Sequence, residues 1–225
     1  MTHDVIICAD CEGTPDQLGR VWRVFQENEV KVNFFFVGQT AQENAALVRE
    51  IAARHCVNSH TFSHRVLRGL PKEVQREEIM RGKHTVEDII GRPTFGFRAP
   101  CHGLDRRTVE ILNEEGFLYD LSGLYYRYNM GRVIEIRPTW FREWAPLYGR
   151  VGISAAAAWN VFKVLYRLFN PLVMPVHPHY SGLNESHARA LSDFLRWALD
   201  HGARFRFIPE YLNDLGRWPD GLPLR

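Results

Sequence analysis

The sequence predicts an α/β fold in which parallel strands alternate with helices. Short apolar runs without polar alternation, such as residues 4–9 and 172–176, are typical of strands buried on both faces of a sheet. Segments of helical periodicity lie between these runs, and this alternation indicates βαβ units. Residues able to do chemistry follow several of the runs. In a barrel of parallel strands such strand ends converge on one face, so one active site is expected there.

The composition fits one globular domain spanning residues 1–225. With 45% hydrophobic residues and a formal net charge of +2, the chain can bury a large core and lacks the basic excess of a nucleic-acid-binding protein. No apolar run reaches the roughly 18 residues of a membrane span. The first apolar run starts directly after Asp4, which leaves no room for a secretion signal. We therefore expect a cytoplasmic protein without a nucleic-acid partner, and its oligomeric state stays open.

The four cysteines, Cys8, Cys11, Cys56 and Cys101, are expected to be free thiols packed near strand ends. A chain of this size does not need a disulfide framework. Cys8 and Cys11 form a C-x-x-C pair, but the pair straddles a predicted strand end instead of opening a helix. That context argues against a redox motif.

Apolar runs and capping signals define the elements in chain order. The predicted strands cover residues 4–9, 32–37, 94–97, 133–136, 172–176 and 204–207, with a short strand before His60. The predicted helices cover residues 15 to at least 25, 40–55, 71–90, 105–115 and 209–215, with another from about 154. A further helix runs to residue 201 and is opened by Asn184 or by Ser186. Thr14 and Pro15 give the first helix an N-cap and a proline at its first position. Asp105 caps the 105–115 helix, and Gly91 stops the one before it. In the second helix the residues expected to face inward are Ala45, Ala46, Leu47, Ile51 and Ala52.

Residues 137–170 break the alternation of strands and helices. The segment mixes arginine and lysine with aromatic residues, namely Trp140, Phe141, Trp144, Tyr148, Trp159, Phe162, Tyr166 and Phe169. We interpret it as an aromatic-rich insertion or lid, an irregular arm followed by an amphipathic helix. The three- and four-residue spacing in the helix is what a core-covering helix shows, and it also fits a helix that contacts lipid. Core cover is the favoured interpretation, and contact with a membrane or a polyprenyl lipid is the alternative.

His60 and His64 are the residues around which the chemistry is organised. Histidines four apart on a helix share a face, and a strand end running into a helical turn also brings them together, so both rings can reach one ion. The spacing alone is a weak signal in a chain with 10 histidines. Its weight comes from Asp10, Arg98 and His177, which follow other strand-like runs.

With these motifs the chain resembles the polysaccharide deacetylases of carbohydrate esterase family 4, whose shared unit is the NodB homology domain. The family's TFDDG, H-[ST]-x-x-H, R-x-P and final histidine motifs correspond, in order, to residues 9–13, 60–64, 98–100 and 176–178. The resemblance runs from about residue 6 to 212. It implies a distorted (β/α)7-type barrel, the NodB-like deacetylase barrel.

The resemblance also implies a metal site. Cys11 stands where the commonest pattern has a second aspartate, and some members resemble D-x-[DE], so we expect the ligands to be Glu12, His60 and His64. Residues two apart on a strand share a face, which would turn Asp10 and Glu12 into the site and Cys11 away from it. Cys11 as a thiolate ligand is the alternative. Three protein ligands with an open position are the catalytic arrangement of zinc; cobalt, nickel or manganese are the other candidate metals.

The remaining roles follow from the same resemblance. Asp10 is expected to be the general base and His177 the general acid, with Asp120 tuning His177 and Arg98 orienting Asp10. The Asp120 role is the weakest assignment, because the motif around it is diffuse. Residues expected to bind the substrate are Pro100, Cys101 (through a nearby backbone N–H), Tyr180 and Trp140.

The implied activity is metal-dependent hydrolysis of an N-acetyl group from an amino sugar, which is a carbohydrate N-deacetylase acting on a linear amide. The sugar is expected to be part of a glycan or to be linked to a nucleotide or a lipid. The alternatives are a deformylase of a lipid-linked amino sugar, an amidohydrolase of a small molecule, and an inactive glycan-binding barrel. Lipid contact through residues 137–170 would put the protein on the inner face of the membrane.

Overall fold

The computed structural model describes residues 3–123, 129–139, 141 and 155–225. The strands are β1 His3–Cys11, β2 Val32–Phe36, β3 Cys56–Ser59, β4 Gly96–Phe97, β5 Tyr119–Asp120, β6 Ile134–Glu135, β7 Leu172–Val176 and β8 Ala203–Phe205. The helices are α1 Pro15–Glu27, α2 Gly38–Glu43, α3 Ala45–Ala52, α4 Lys72–Ile90, α5 Arg106–Glu114, α6 Ala155–Leu168, α7 Pro178–Ser181, α8 Glu185–Asp200 and α9 Ile208–Asp214. A short 3₁₀ helix covers Pro100–His102.

The chain forms two compact units. Unit 1 comprises Met1–Asn33 and Phe141–Arg225, and unit 2 comprises Phe34–Trp140. The boundary at residue 33 falls inside β2. The sequence-based expectation of one domain stays a prediction.

The core of unit 1 is built around β1. Its apolar residues are fully buried, as the lack of alternation predicts. β1 pairs in parallel with β7, with Val5 opposite Leu172 and Ala9 opposite Val176, and also pairs in parallel with β8. Parallel pairing in this register brings the carboxyl ends of β1 and β7 to the same place.

Asn33 fixes the unit 1 end of β2. Its side chain is fully buried, its amide donates to the carbonyl oxygens of Ile7 (3.1 Å) and Arg206 (3.2 Å), and its carbonyl accepts from the N–H of Ile208 (2.8 Å). The polar residue is tolerated in an apolar strand because both ends of its amide are satisfied.

The helices of unit 1 begin where the capping signals predict. Thr14 and Gln17 form a capping box at α1, and the Asn184 side chain accepts from the N–H of His187 at the start of α8. The predicted amphipathic helix near residue 154 is α6. Its aromatic face covers the core, since Trp159 and Phe162 are buried and the Trp159 ring stacks on that of Phe194 (5.3 Å). Tyr166 is also buried.

Unit 2 contains strands in the order β6-β5-β4-β3-β2, and the β3–β4, β4–β5 and β5–β6 pairs are parallel. α4 packs against α2, α3, α5 and β3. One core cluster of this unit consists of Leu67, Ile79, Phe97, Ala99, Leu104, Val109, Ile111, Leu112, Phe117 and Val133. The predicted end of α4 is confirmed, because Gly91 adopts the left-handed conformation there.

The prediction of a single helix at residues 40–55 is wrong. The segment forms α2 and α3, because Asn44 between them has φ −121° and its side-chain amide donates to the carbonyl oxygen of Thr40 (2.8 Å). The change of direction also alters the buried face. Val48 is buried, whereas Ala46, which was expected to face inward, is exposed.

The expectation of free thiols is confirmed for all four cysteines. Cys8, Cys11 and Cys56 are buried, but Cys101 is exposed because it lies in the 3₁₀ turn after β4 and not in a strand. Among the described residues, no helix has both the length and the apolar character that crossing a membrane requires.

Candidate active site

Asp10 and His177 form a buried acid–imidazole pair in unit 1. The register that places Ala9 opposite Val176 continues to these two residues, which stand next to each other at the ends of β1 and β7. His177 Nε2 lies 3.3 Å from Asp10 Oδ2, and both side chains are less than one-tenth exposed. The structure thus brings the predicted base and the predicted acid together.

Glu12 joins this pair through a turn in the backbone. The N–H of Glu12 donates to the carbonyl oxygen of Asp10 (2.9 Å), so the chain has left the extended strand geometry from which a shared face was expected. The grouping of the carboxylates is nevertheless confirmed, because one ligand atom from each of Asp10, Glu12 and His177 lies within 4.8 Å of the others. Cys11 is fully buried, and its Sγ lies 3.5 Å from the carbonyl oxygen of Ala9. His179 Nδ1 lies 3.8 Å from Glu12 Oε2.

His60 and His64 of unit 2 lie in an irregular loop after β3, not in a helix. Thr61 and His64 have φ values of +63° and +59°, a region that residues other than glycine adopt at a cost. The two rings nevertheless come together, with centroids 4.9 Å apart. The expected pairing of the imidazoles is therefore confirmed, although the local geometry differs.

A backbone contact fixes the tautomer of His60. The ring is buried, and its Nδ1 lies 2.7 Å from the carbonyl oxygen of Arg98, which can only accept a hydrogen bond. Nδ1 therefore carries the proton, and Nε2 carries the lone pair that a metal needs. The donor chemistry at His60 fits a metal ligand.

Four hydrogen bonds hold the 60–64 loop against α2 and α4. The N–H groups of Gly38 and Gln39 donate to the carbonyl oxygens of Thr61 and Phe62, each at 2.9 Å. Glu78 accepts from the N–H (3.0 Å) and the hydroxyl (2.8 Å) of Ser63.

α4 approaches the same loop so closely that only glycine fits at position 82. A Cβ added to Gly82 would lie 2.4 Å from the carbonyl carbon of Thr61. The guanidinium of Arg81 lies 3.5 Å from the centre of the Phe62 ring. The backbone of the loop is thus fixed by packing as well as by hydrogen bonds.

Arg98 and Asp120 are both buried in unit 2. Complete burial raises the pKa of Asp120, while hydrogen bonds from Ser122 and the charge of Arg98 act in the opposite direction. Burial and the neighbouring Asp120 carboxylate raise the pKa of Glu135 to about 9. Unit 2 therefore contains two neighbouring carboxyl groups with raised pKa values.

The predicted substrate-binding residues occupy different surroundings. Pro100 is buried in the 3₁₀ turn, and Cys101 is exposed there with φ +52°. Tyr180 is half-buried in α7, where its ring contacts that of His187 (5.5 Å). Trp140 lies outside the described residues. The roles of these four residues stay predictions.

Three of the predicted relationships each involve one residue of unit 1 and one or two residues of unit 2, and they also stay predictions. In the first, Glu12, His60 and His64 bind one metal ion. In the others, Arg98 orients Asp10 and Asp120 tunes His177. Sequence reasoning missed Glu78, Gly82, Ser122 and Glu135, which support the loops of unit 2. The sequence could have pointed to Glu135, because it is an acidic residue inside the apolar run 133–136.

Comparison with known proteins identifies the family. The family model described as polysaccharide deacetylase matches residues 4–119, just over half of the 225 residues. The chain belongs to this family. It is 29% identical over 121 residues to a peptidoglycan deacetylase-like protein of Gibberella zeae, covering 48% of this chain and 35% of that protein. It is 24% identical over 110 residues to a peptidoglycan-N-acetylglucosamine deacetylase of Bacillus cereus, covering 48% of this chain and 38% of that one.

The fold comparison extends over the whole chain. A Mycobacterium smegmatis structure classed among the polysaccharide deacetylases matches with a TM-score of 0.78 at 21% identity, covering 100% of this chain and 94% of the other. The predicted fold class, the NodB-like (β/α) barrel, is confirmed. The chain spans little more than a third of the length of the two curated relatives named above.

Proposed function

We propose that this chain is a metal-dependent hydrolase that removes the N-acetyl group from an amino sugar. The observation that carries the proposal is the Asp10–His177 pair, with Nε2 and Oδ2 3.3 Å apart and both side chains buried beside Glu12. Amide hydrolysis needs a base to activate water and an acid to protonate the poor leaving amine. The pair supplies one of each, in a chain that belongs to the polysaccharide deacetylase family.

We propose Glu12, His60 and His64 as the ligands of one divalent ion, with zinc the first candidate and cobalt, nickel or manganese the others. Two imidazoles and a carboxylate are a donor set that zinc enzymes use, and the Nδ1 hydrogen bond of His60 puts the lone pair of the ring on Nε2, the atom that would coordinate. When bound, the ion supplies Lewis acidity at the amide carbonyl.

The residues of the chain then have defined tasks. Asp10 accepts the proton of the attacking water, and His177 donates a proton to the departing nitrogen. Arg98 orients Asp10, and Asp120 tunes His177. A backbone N–H near Cys101 stabilises the oxyanion, while Pro100, Tyr180 and Trp140 contact the sugar.

The substrate class rests on the family and on the names of the relatives. Both relatives described above are named for peptidoglycan, which favours an N-acetylglucosamine-containing glycan. Lipid contact is supported by the outer face of α6, where Val164 and Leu168 are 53% and 69% exposed and Arg167 is exposed beside them. The cytoplasmic location stays a prediction.

The test is amine release from a panel of N-acetyl and N-formyl amino sugars, offered as glycan oligomers and as nucleotide- and polyprenyl-linked forms, with and without chelator. The proposal predicts chelator-sensitive acetate release. Asp10→Asn should retain the metal and lose activity by roughly 10²–10⁴-fold, whereas His60→Ala with His64→Ala should lose the metal. Formate release alone would replace the deacetylase by a deformylase. No release from any substrate by a metal-loaded protein would favour a glycan-binding barrel.

A further inference from the structure

Asp120 and Glu135 bring two carboxyl groups together on neighbouring strands of unit 2. They are register partners in the parallel β5–β6 pair, so their side chains leave the same face of the sheet. Asp120 is fully buried. Two adjacent buried carboxylates repel each other, so one of the groups is expected to keep a proton.

The hydrogen bonds around Asp120 identify it as the ionised partner. The N–H of Ser122 donates to Asp120 Oδ2 (2.9 Å), and Ser122 Oγ lies 2.6 Å from Oδ1. The same Oγ accepts from the N–H of Ala99 (2.6 Å). The Ala99 N–H uses one lone pair of this oxygen, and the hydroxyl donates its proton to Asp120 Oδ1. Both oxygens of Asp120 therefore accept hydrogen bonds.

Glu135 must then supply the proton between the two carboxyl groups. Its Oε1 accepts from the N–H of Gly123 (2.6 Å), and a Cβ on Gly123 would lie 2.3 Å from this oxygen. Its Oε2 is buried and makes no hydrogen bond to the described residues. A protonated Oε2 is a donor, and the carboxylate of Asp120, its register partner on β5, is an acceptor beside it.

The charged groups around the pair act on both carboxyl groups. Arg98 stabilises the negative charge of Asp120, whereas the charge of Arg137 lowers the pKa of Glu135 and is outweighed there by burial and by the Asp120 carboxylate. The ring of His102 contacts the carbonyl oxygen of Ser122 (3.2 Å).

We propose that Glu135 is a protonated positioning residue that holds the Arg98–Ala99 backbone, and through it His60, in the geometry of the active site. Glu135 donates to Asp120, Asp120 orients the Ser122 hydroxyl, and the hydroxyl holds the Ala99 N–H. The adjoining carbonyl of Arg98 accepts from His60 Nδ1. This role of Glu135 deepens the proposed function. Only the zinc-binding measurement below rests on that function, whereas the protonation of Glu135 and the tautomer of His60 can be tested without it.

The pH dependence of stability tests whether Glu135 carries a proton in the folded protein. A carboxyl group with a raised pKa in the folded state contributes stability at low pH that is lost as pH rises through the folded pKa. For Glu135 this window runs from the ordinary value of 4.5 to about 9. Glu135→Gln keeps a donor for Asp120 and an acceptor for Gly123, but it does not titrate.

We therefore expect the Tm of Glu135→Gln to match that of the wild type below pH 4.5. As the pH rises from there to about 9, the Tm of the variant should exceed that of the wild type by a growing margin. The matched control is Glu77→Gln, an exposed residue of α4, whose Tm should follow the wild type at every pH. Parallel curves for Glu135→Gln and the wild type would overturn the assignment of the proton.

Positioning is tested by the state of His60. Nitrogen NMR of the imidazoles should show the Nδ1–H tautomer in the wild type and in Glu135→Gln, and a mixture of tautomers in Glu135→Ala. Zinc affinity should fall about tenfold or more in Glu135→Ala and recover in Glu135→Gln. An unchanged tautomer in folded Glu135→Ala would overturn the positioning role. A wild type that binds no metal would instead contradict the proposed function, and the NMR result would still decide the role of Glu135.

Discussion

Replacing Gly82 by alanine probes how tightly α4 fixes the His60–His64 loop. The added Cβ would lie 2.4 Å from the carbonyl carbon and 2.6 Å from the carbonyl oxygen of Thr61, and 2.8 Å from the nitrogen of Phe62. An ordinary contact starts at 3.4 Å, so the loop or the helix must move by the difference, about 1 Å. Both partners are backbone, so no flexible side chain can absorb the shift.

The two energetic effects of Gly82→Ala have opposite signs. Alanine in a helix interior gains roughly 0.5–1 kcal/mol over glycine, and overpacking costs about 1–3 kcal/mol. The net result should be a loss of up to about 2.5 kcal/mol in the free energy of unfolding, measured by denaturant titration. A displacement of about 1 Å at the imidazoles should lower turnover by on the order of 100-fold and weaken zinc binding in a calorimetric titration.

Gly19→Ala is the matched control for Gly82→Ala. Gly19 also lies inside a helix, but a Cβ there would meet nothing within 4 Å, so this variant should be stabilised by roughly 0.5–1 kcal/mol. If Gly82→Ala were as stable as Gly19→Ala and kept wild-type zinc affinity, the loop would not be held by its contact with α4.

Three further predictions address other parts of the chain. Asn33→Ala should lower the free energy of unfolding by about 1–3 kcal/mol, measured by denaturant titration, because the buried N–H of Ile208 loses its acceptor. His177→Ala should keep its metal by elemental analysis and lose turnover by roughly 10²–10⁴-fold, because the leaving amine is no longer protonated. Val164→Ser with Leu168→Ser should weaken sedimentation with anionic liposomes; equal sedimentation of variant and wild type would argue against lipid contact through α6.

Local signals in the sequence predicted most of the helices and strands. Thr14, Asp105 and Asn184 each accept backbone N–H bonds at the predicted helix starts, because capping depends only on residues a few positions away. The apolar run that predicts β7 matches Leu172–Val176 residue for residue. The break at Asn44 could not be predicted from hydrophobic periodicity. A hydrogen bond from the Asn44 side chain to the preceding turn accompanies the end of α2 and divides the expected helix.

The site required information that no local pattern contains. The Asp10–His177 contact depends on the register of two strands more than 160 positions apart. The motif spacing placed His60 and His64 together, but it did not predict that the carbonyl oxygen of Arg98 selects the tautomer. Glu135 was assigned to a strand and not to the site, because its importance comes from its neighbour Asp120 on β5.

The strained conformation of the 60–64 loop explains why the supporting residues are so numerous. Two positive φ values at residues other than glycine cost of the order of 1–3 kcal/mol each and persist only where the surroundings fix them. Here Thr61 is held by the N–H of Gly38, and Ser63 by Glu78. His60 is held by the Arg98 carbonyl, whose own backbone depends on Ser122 and Asp120. All of these contacts are made between residues of unit 2, so the cost of the strained loop is met when this unit folds.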